Sequence, residues 1–295
     1  MAAFTAKDVS ELRQRTGAGM MECKKALEEN QGDMEQSIDW LRKKGIAKAE
    51  KRAGRAASEG QVVAKLSPDG TRGALVELNS ETDFVSRNEE FGATATKIAE
   101  TLLGHDATDG VVANAEGAPL LGQPHGSAGT MGDALKELSG KIGENIMLRR
   151  YARLGGGGAV GSYVHHNGKV GVLVELSGIA GAEGQQLART IAEHVAAGVP
   201  TVPVSVDRND VPAELVERER RIFTEQAAAS GKPENIVTKM VDGRIDKFYK
   251  EVTLLDQPWV RDDSKTIRQL VAEAAKASGG QVAIKRFARF QMGQE

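Results

Sequence analysis

The chain has 295 residues, 27% of them charged and 4% aromatic, with a formal net charge of −2. That length accommodates about two domains, and the charge balance provides no global basic field for nucleic acid. A single cysteine, Cys23, excludes an intramolecular disulfide and a thiolate zinc site and fits a reducing cytoplasm. No run approaches the roughly 20 apolar residues of a membrane span. Met1 to Arg15 lacks the apolar stretch of a signal peptide. A cytoplasmic protein with no membrane contact is expected.

The first segment reads as a compact helical module over residues 1–55. Thr5 with Asp8 forms an N-cap pair, and Val9 and Leu12 begin an apolar stripe. Thr16-Gly17-Ala18-Gly19 breaks it, and a second helix follows from Met20 to Glu29. Asp33 caps a third helix marked by Ile38 and Leu41 and expected to stop at Gly45, with a basic, Ala-rich helical tail to Arg55.

Then the sequence repeats itself. Val62–Leu66, Asp69-Gly70 and Leu75–Leu78 predict a β-hairpin, and Val160–Val164, Asn167-Gly168 and Val172–Leu176 predict another. An offset of 98 carries Gly73-Ala74-Leu75-Val76-Glu77-Leu78 onto Gly171-Val172-Leu173-Val174-Glu175-Leu176. In the helix after each hairpin the offset falls to 93, so the first copy holds five additional residues near Thr82–Ser86. A third strand closes each unit, Leu148–Leu154 and Ile284–Phe290, at an offset of 136. The units are bounded at 56–154 and 155–295. The second gains an antiparallel helical hairpin over 210–252, with Leu215, Ile222 and Ala229 on one helix and Val237, Val241, Ile245, Phe248 and Val252 on the other. Residues 104–132 are rich in Gly and Ala without a clear period, and Gly155–Gly158 is a joint. The fold class is α+β.

Thr82-Asp83-Phe84-Val85 occupies the five-residue difference. One reading has Asp83 capping a turn and Phe84 plugging the core. The other takes the second copy, which makes the same connection without a Phe, as a sign that the fold does not need these residues, leaving a loop that contacts a protein. Met20-Met21 is either core filler or a soft docking surface, since adjacent helical residues cannot face one core. Lys141–Ile146 is a helix end with a turn at Gly143. The basic run Arg42–Arg55 is a solvated helix face or, alternatively, an RNA contact. His165-His166 adjoins a hairpin turn with no carboxylate or thiol placed to complete a metal or catalytic set. No catalytic triad, carboxylate pair or nucleotide fingerprint is present, which argues against bond chemistry and against a cofactor.

The segment Arg13–Leu27, with Thr82-Asp83-Phe84-Val85, Lys141–Ile146 and Gly231-Lys232-Pro233, resembles the signatures of the bacterial elongation factor Ts family, in the family's order and over nearly the whole chain. The resemblance implies a guanine-nucleotide exchange factor for elongation factor Tu, bound in its GDP and nucleotide-free forms. It implies a three-helix ubiquitin-associated-like module, then two duplicated α+β units with three-stranded antiparallel sheets, the second carrying a coiled-coil hairpin. That module would grip the GTPase through Arg13, Met20 and Met21. Thr82, Asp83, Phe84 and Val85 would press toward its magnesium and phosphate site and dislodge Mg²⁺. Ile142, Gly143 and His165 match further contact positions. The inserted hairpin either pairs two copies of the chain or touches the partner. Some family members continue into an extra C-terminal helical module, whose contacts are not carried over here.

Overall fold

The computed structural model describes residues 4–105, 109–126, 129–229 and 233–294. The helical module comprises α1 (Ala6–Thr16), α2 (Met20–Glu29) and α3 (Met34–Glu50). Thr5 and Asp8 form the expected capping box on α1, and Asp33 caps α3. Val9, Leu12, Cys23, Ala26 and Leu27 fill the core of this bundle.

The first sheet contains β1 (Glu59–Leu66), β2 (Arg72–Ser80), β3 (Gly110–Val112) and β4 (Met147–Gly155), in the order β1-β2-β4-β3. The second contains β5 (Val160–Val164), β6 (Val170–Ser177) and β9 (Ala283–Gln291), in the order β5-β6-β9. Within these two sheets the strands pair antiparallel. Helices α4 (Asp83–Ser86), α5 (Glu89–Gly104) and α6 (Met131–Ile142) belong to the first sheet's connections, and α7 (Gly181–Ala197) and α10 (Ile267–Ser278) to the second's. Between α7 and α10 lie α8 (Ala213–Ala228), α9 (Glu234–Val252) and the small ribbon β7 (Pro258–Trp259) and β8 (Asp262–Thr266).

Each residue of the repeated Gly-Xaa-Leu-Val-Glu-Leu has an assigned place. Alternation on a strand sends successive side chains to opposite faces. Ala74, Val76 and Leu78 face α5 and α6, and Val172, Val174 and Leu176 face α7 and α10. Leu75 and Leu173 point the other way, into a core shared by the two sheets with Val62, Val160 and Phe290. The glycines let the sheets approach. A Cβ on Gly73 would lie 2.8 Å from Val160 Cγ1, and one on Gly171 would lie 2.4 Å from Val62 Cγ1. The contacts reciprocate: Val160 N–H donates to Gly70 O at 2.8 Å, and Val62 N–H donates to Gly168 O at 2.8 Å.

The glutamates are buried and held by arginines on the cross-strand partner. Glu77 accepts from Arg150 Nε at 2.6 Å, and Glu175 from Arg286 Nε at 2.7 Å and Lys285 Nζ at 3.0 Å. Each glutamate sits at the bulge that interrupts its ladder. Each arginine also reaches the opposite unit, Arg150 donating to Gln291 O at 2.9 Å and Arg286 forking onto Asp109 at 2.7 and 2.8 Å. Removing one partner would strand a buried charge, which is why both members recur. Burial pushes the Glu77 carboxyl pKa up, against the pull of Arg150.

Several expectations change. The third helix does not stop at Gly45 but runs to Glu50 and gives way to turns by Lys51. Gly45 is instead a crossing point, since a Cβ on Gly140 of α6 would lie 2.7 Å from Gly45 Cα. The first sheet has four strands, because Val111 and Val112, in the stretch without a period, pair with Ala152 and Tyr151. The hairpin seam also shifts. Phe223 and Ala227, not Ile222 and Ala229, meet Val237, Val241, Ile245 and Tyr249, while Ile222 and Ala229 are exposed. Arg220 bonds Asp242 and Arg244 bonds Gln226, as an antiparallel pair requires. Ser230, Gly231 and Lys232 lie outside the described residues.

One helix, α10, escaped the sequence reading, and α6 was read only at its end near Gly143, although the duplication encodes both. The offset of 136 that relates the last strands carries α6 onto α10, with capping boxes at Thr130–Asp133 and Thr266–Gln269 and left-handed C-caps at Gly143 and Gly279.

At the base of the hairpin, His194 of α7 is fully buried. Its Nδ1 accepts from Val260 N–H at 3.2 Å, so Nε2 carries the proton donated to Gln257 Oε1 at 2.9 Å. Gln257 in turn donates to Thr201 O at 3.0 Å. Burial holds the imidazole below its ordinary pKa of 6.5, outweighing the bond to Gln257.

Two predictions follow from this packing. Gly171→Ala should lower stability by about 1–3 kcal/mol through overpacking, whereas Gly104→Ala, with open space around it, should leave it within about 0.5 kcal/mol. Urea unfolding of the two variants checks this. His194 should add stability that is complete above pH 6.5. Below it the unfolded imidazole takes up a proton that the folded one refuses, costing up to about 1.4 kcal/mol per pH unit. Unfolding curves between pH 7.5 and 5 should show that slope, and His194→Gln should flatten it.

Candidate functional site

Apart from the inserted hairpin of the second unit, the two units differ where the strand β2 meets α5. Residues 81–88 make this connection, against 178–180 between β6 and α7, so the difference of five residues is real. The additional residues form α4. Thr82 occupies its N-cap position in extended conformation, and Asn88 caps α5 by accepting from Glu90 N and Phe91 N at 2.9 and 3.3 Å. A single turn has one inward face. Val85 takes it, 9% exposed and packed into the helix-facing core, while Phe84 is 82% exposed. The reading that put Phe84 in the core is therefore overturned: Val85 is the plug. Asp83 accepts from Arg87 Nη2 at 2.9 Å on the exposed side of the turn.

This turn is held on three sides. Glu144 accepts from Thr82 N–H at 2.9 Å and from its hydroxyl at 2.6 Å. Glu81 accepts from Asn145 N–H at 2.6 Å. The Gln61 side-chain amide of β1 donates to Ser86 O, and Ser86 Oγ donates to Asp83 O at 2.8 Å. Asn145 Nδ2 donates to Arg55 O at 2.7 Å, tying in the segment that leaves the helical module.

That module reaches the same neighbourhood through α6. Gly17 ends α1 in the left-handed conformation, and a Cβ there would lie 2.1 Å from Lys141 Cε. Lys141 crosses it to bond Glu90 of α5 at 2.8 Å. Arg13 is exposed, as are Met20 and Met21 at 44% and 73%. The core-filler reading of the methionines is overturned because Cys23, Ala26 and Leu27 already fill the bundle. The basic run Arg42–Arg55 is largely turned onto the protein itself. Arg42 pairs with Glu137, Lys44 and Lys48 with Glu22, and Arg52 donates to Ser139 O at 3.3 Å. Among the described residues no group of three or more His, Cys, Asp or Glu could hold a metal, and no helix is long and apolar enough to cross a membrane.

A family model described as elongation factor TS matches residues 81–294. Elongation factor Ts of Prosthecochloris aestuarii is 45% identical over 296 residues, covering 99% of this chain and 100% of that one. That of Sphingopyxis alaskensis is 49% identical over 301 residues, covering 100% and 94%. That of a Nostoc species is 44% identical over 304 residues, covering 100% and 94%. The chain belongs to the elongation factor Ts family. It thereby joins the exchange factors of protein biosynthesis.

The remaining positions singled out by the elongation factor Ts signatures divide in two. Ile142 is half-buried against the helix-facing core, and Gly143 ends α6 at φ 94°, with its N–H on Ser139 O at 2.9 Å. Both immediately precede Glu144 and so lie beside Thr82. His165 opens the β5–β6 turn, where its Nδ1 lies 3.0 Å from Tyr163 OH and its ring lies tilted against His166 at 4.3 Å between centroids. This turn docks on the first unit: Gly168 O accepts from Val62 N–H, next to the Gln61 that holds Ser86. The signatures did not bring out Glu81, Glu144 and Gln61 as residues that support Phe84.

Because Phe84 is exposed and Val85 is not, their removal should affect folding differently. Phe84→Ala should change unfolding free energy by no more than about 0.5 kcal/mol. Val85→Ala should cost about 1–2 kcal/mol for the methyl groups it withdraws from the core. Urea titrations of both variants test this.

Proposed function

We propose that the chain binds elongation factor Tu carrying GDP, displaces its Mg²⁺ and speeds GDP release so that GTP can enter during translation elongation. The observation that carries this reading is Phe84: a large aromatic side chain, 82% exposed, on a turn that the duplicated unit does without. An exposed aromatic of that size offers a partner a large apolar contact area at low conformational cost. Asp83 and Phe84 would enter the partner's magnesium and phosphate site, with Thr82 and Val85 as their frame. Arg13, Met20 and Met21 would hold the partner from the helical module, the methionines adapting to its surface. Ile142, Gly143 and His165 would contact it around the wedge. The working divisions are residues 1–55, 56–154 and 155–295, with the inserted hairpin at 210–252 either pairing two copies or touching the partner. Such a factor performs no bond chemistry, needs no cofactor, contacts neither membrane nor nucleic acid, and works in the cytoplasm.

Linkage explains how binding becomes exchange. A protein that binds nucleotide-free elongation factor Tu more tightly than the GDP form weakens GDP by the same factor. Loss of Mg²⁺ removes the charge that offsets the phosphates. A wedge on a braced turn delivers its binding energy to that displacement rather than to its own ordering.

Substoichiometric protein should accelerate release of fluorescent GDP from elongation factor Tu. Phe84→Ala should cost about 2 kcal/mol of that acceleration, roughly thirty-fold, while Met21→Ala should mainly raise the protein concentration required. Release no faster with the wild-type chain than without it would overturn the reading.

A further inference from the structure

We infer that Glu144 and Glu81 form a reciprocal clamp that positions the Phe84 wedge, making them positioning residues for exchange. The inference rests on the exchange reading above and names what sets the wedge's geometry.

Two chain segments, Glu81-Thr82 and Glu144-Asn145, run past each other where β2 ends and β4 begins. Each offers a carboxylate to a main-chain N–H of the other. Glu144 takes the Thr82 N–H at 2.9 Å, and Glu81 takes the Asn145 N–H at 2.6 Å. Glu144 adds a second bond through its other oxygen, to the Thr82 hydroxyl at 2.6 Å. Two carboxylate oxygens on one residue's N–H and O–H fix direction as well as distance. Thr82 is the N-cap of α4, so the clamp sets the axis along which Phe84 projects. Glu144 is itself anchored, because its carbonyl accepts from Ser139 Oγ of α6 at 2.5 Å.

The second unit serves as an internal control. Asn79 pairs with Met147 on the first sheet, and Ser177 pairs with Ala283 on the second. By that correspondence Glu81 matches Ile179, Glu144 matches Gly280 and Asn145 matches Gln281. Neither carboxylate is present there. The second unit closes the same corner by direct backbone approach instead, with the site of a Gly178 Cβ lying 1.6 Å from Gln281 O. Joining the strand ends therefore does not require the two glutamates. They accompany the five-residue connection and the exposed phenylalanine.

The clamp also joins the wedge to the helical module. Glu144 follows α6, which meets α3 at Gly45 and Gly140 and covers Gly17 with Lys141. Asn145, held by Glu81, bonds Arg55 O. Docking of the module and insertion of the wedge thus share one support.

The test compares full-length Glu144→Ala, Thr82→Val, Phe84→Ala and the Glu144→Ala/Phe84→Ala pair in steady-state GDP exchange on elongation factor Tu. Glu144→Ala should lower kcat about ten-fold through misplacement of the Phe84 contact, with KM within about two-fold and an unchanged melting temperature. Thr82→Val, which loses only the hydroxyl bond, should lower kcat less. The pair should match Phe84→Ala alone, because a residue acting through Phe84 has nothing further to lose. Full wild-type kcat in Glu144→Ala, or losses that multiply in the pair, would overturn the clamp; so would an effect confined to KM. Should Glu144→Ala fail to fold, Thr82→Val carries the test, and wild-type kcat for it overturns the clamp. Hydrogen exchange at the Val85 and Ser86 amides of the free protein gives a readout without the partner. Faster exchange in Glu144→Ala than in wild type or Phe84→Ala supports the clamp even if GDP release proves unaffected by the chain, and unchanged exchange counts against it.

Discussion

The structure depends on how closely its two sheets can approach. Gly73 and Gly171 hold that distance: the missing Cβ atoms leave room for Val160 and Leu173 on one side and for Val62 and Leu75 on the other. A side chain at either glycine would push one sheet off the other and open the apolar layer between them, forfeiting the dispersion contacts that close packing provides. Because the contacts reciprocate, this layer behaves like a two-fold interface between copies within a single chain. It also explains why the repeated segment tolerates no simple hydrophobic alternation. Its glutamate lies beside the shared apolar layer and is kept there by an arginine that binds its own unit's acid and the opposite unit's chain.

With the sheets fixed face to face, their outer faces require helices, and α5, α6, α7 and α10 supply them. The same docking places the β5–β6 turn against β1, so that Gly168 bonds Val62 beside Gln61. Gln61 holds the end of α4. A residue of the inter-sheet layer and the exposed Phe84 are thus separated by very few rigid links. The hairpin is joined differently, through Arg208 and Arg268 to Asp256 and through the neutral His194–Gln257 pair. Polar bonds surround its base, where Val211 and Val252 are also buried, and its own seam is apolar.

Much of this was legible in the sequence because a duplication supplies its own reference. The hairpins, the closing strands, the five-residue difference and the inserted helices all emerge from offsets between copies, which need no propensity argument. What escaped has physical reasons. Gly45 reads as a helix breaker, yet its cost of about 1 kcal/mol in a helix is tolerated where Gly140 must pass beside it. The strand β3 has three residues, too few for a period to register. In the hairpin, Leu215, Ile222 and Ala229 keep a heptad spacing, but the contact stripe passes through Phe223 and Ala227. For the site, the residue types were visible and their orientation was not. Adjacent Phe84 and Val85 are equally apolar on paper, and only the single turn of α4 decides which one is buried. Glu81 and Glu144 lie 62 to 64 residues from the main-chain groups they hold, a separation no local pattern reveals.

The asymmetry between the units bears on how an exchange factor can be built. A wedge must be stiff, yet it must present apolar surface that folding alone would bury. A duplicated scaffold separates these demands. Both copies build the inter-sheet layer, so the connection after β2 needs only Val85 for its packing, and its outer side is free to carry an exposed aromatic. The second copy shows the unmodified form, in which Gly178 and Gln281 touch backbone to backbone. Opening that corner by five residues would ordinarily leave a mobile loop. The carboxylates of Glu81 and Glu144 restore order across the gap by capping the main-chain N–H groups that the longer path exposes. On the proposed reading, the wedge then meets elongation factor Tu with its ordering entropy already lost in folding. Its contacts can therefore act on the bound Mg²⁺ and nucleotide instead of on the loop itself.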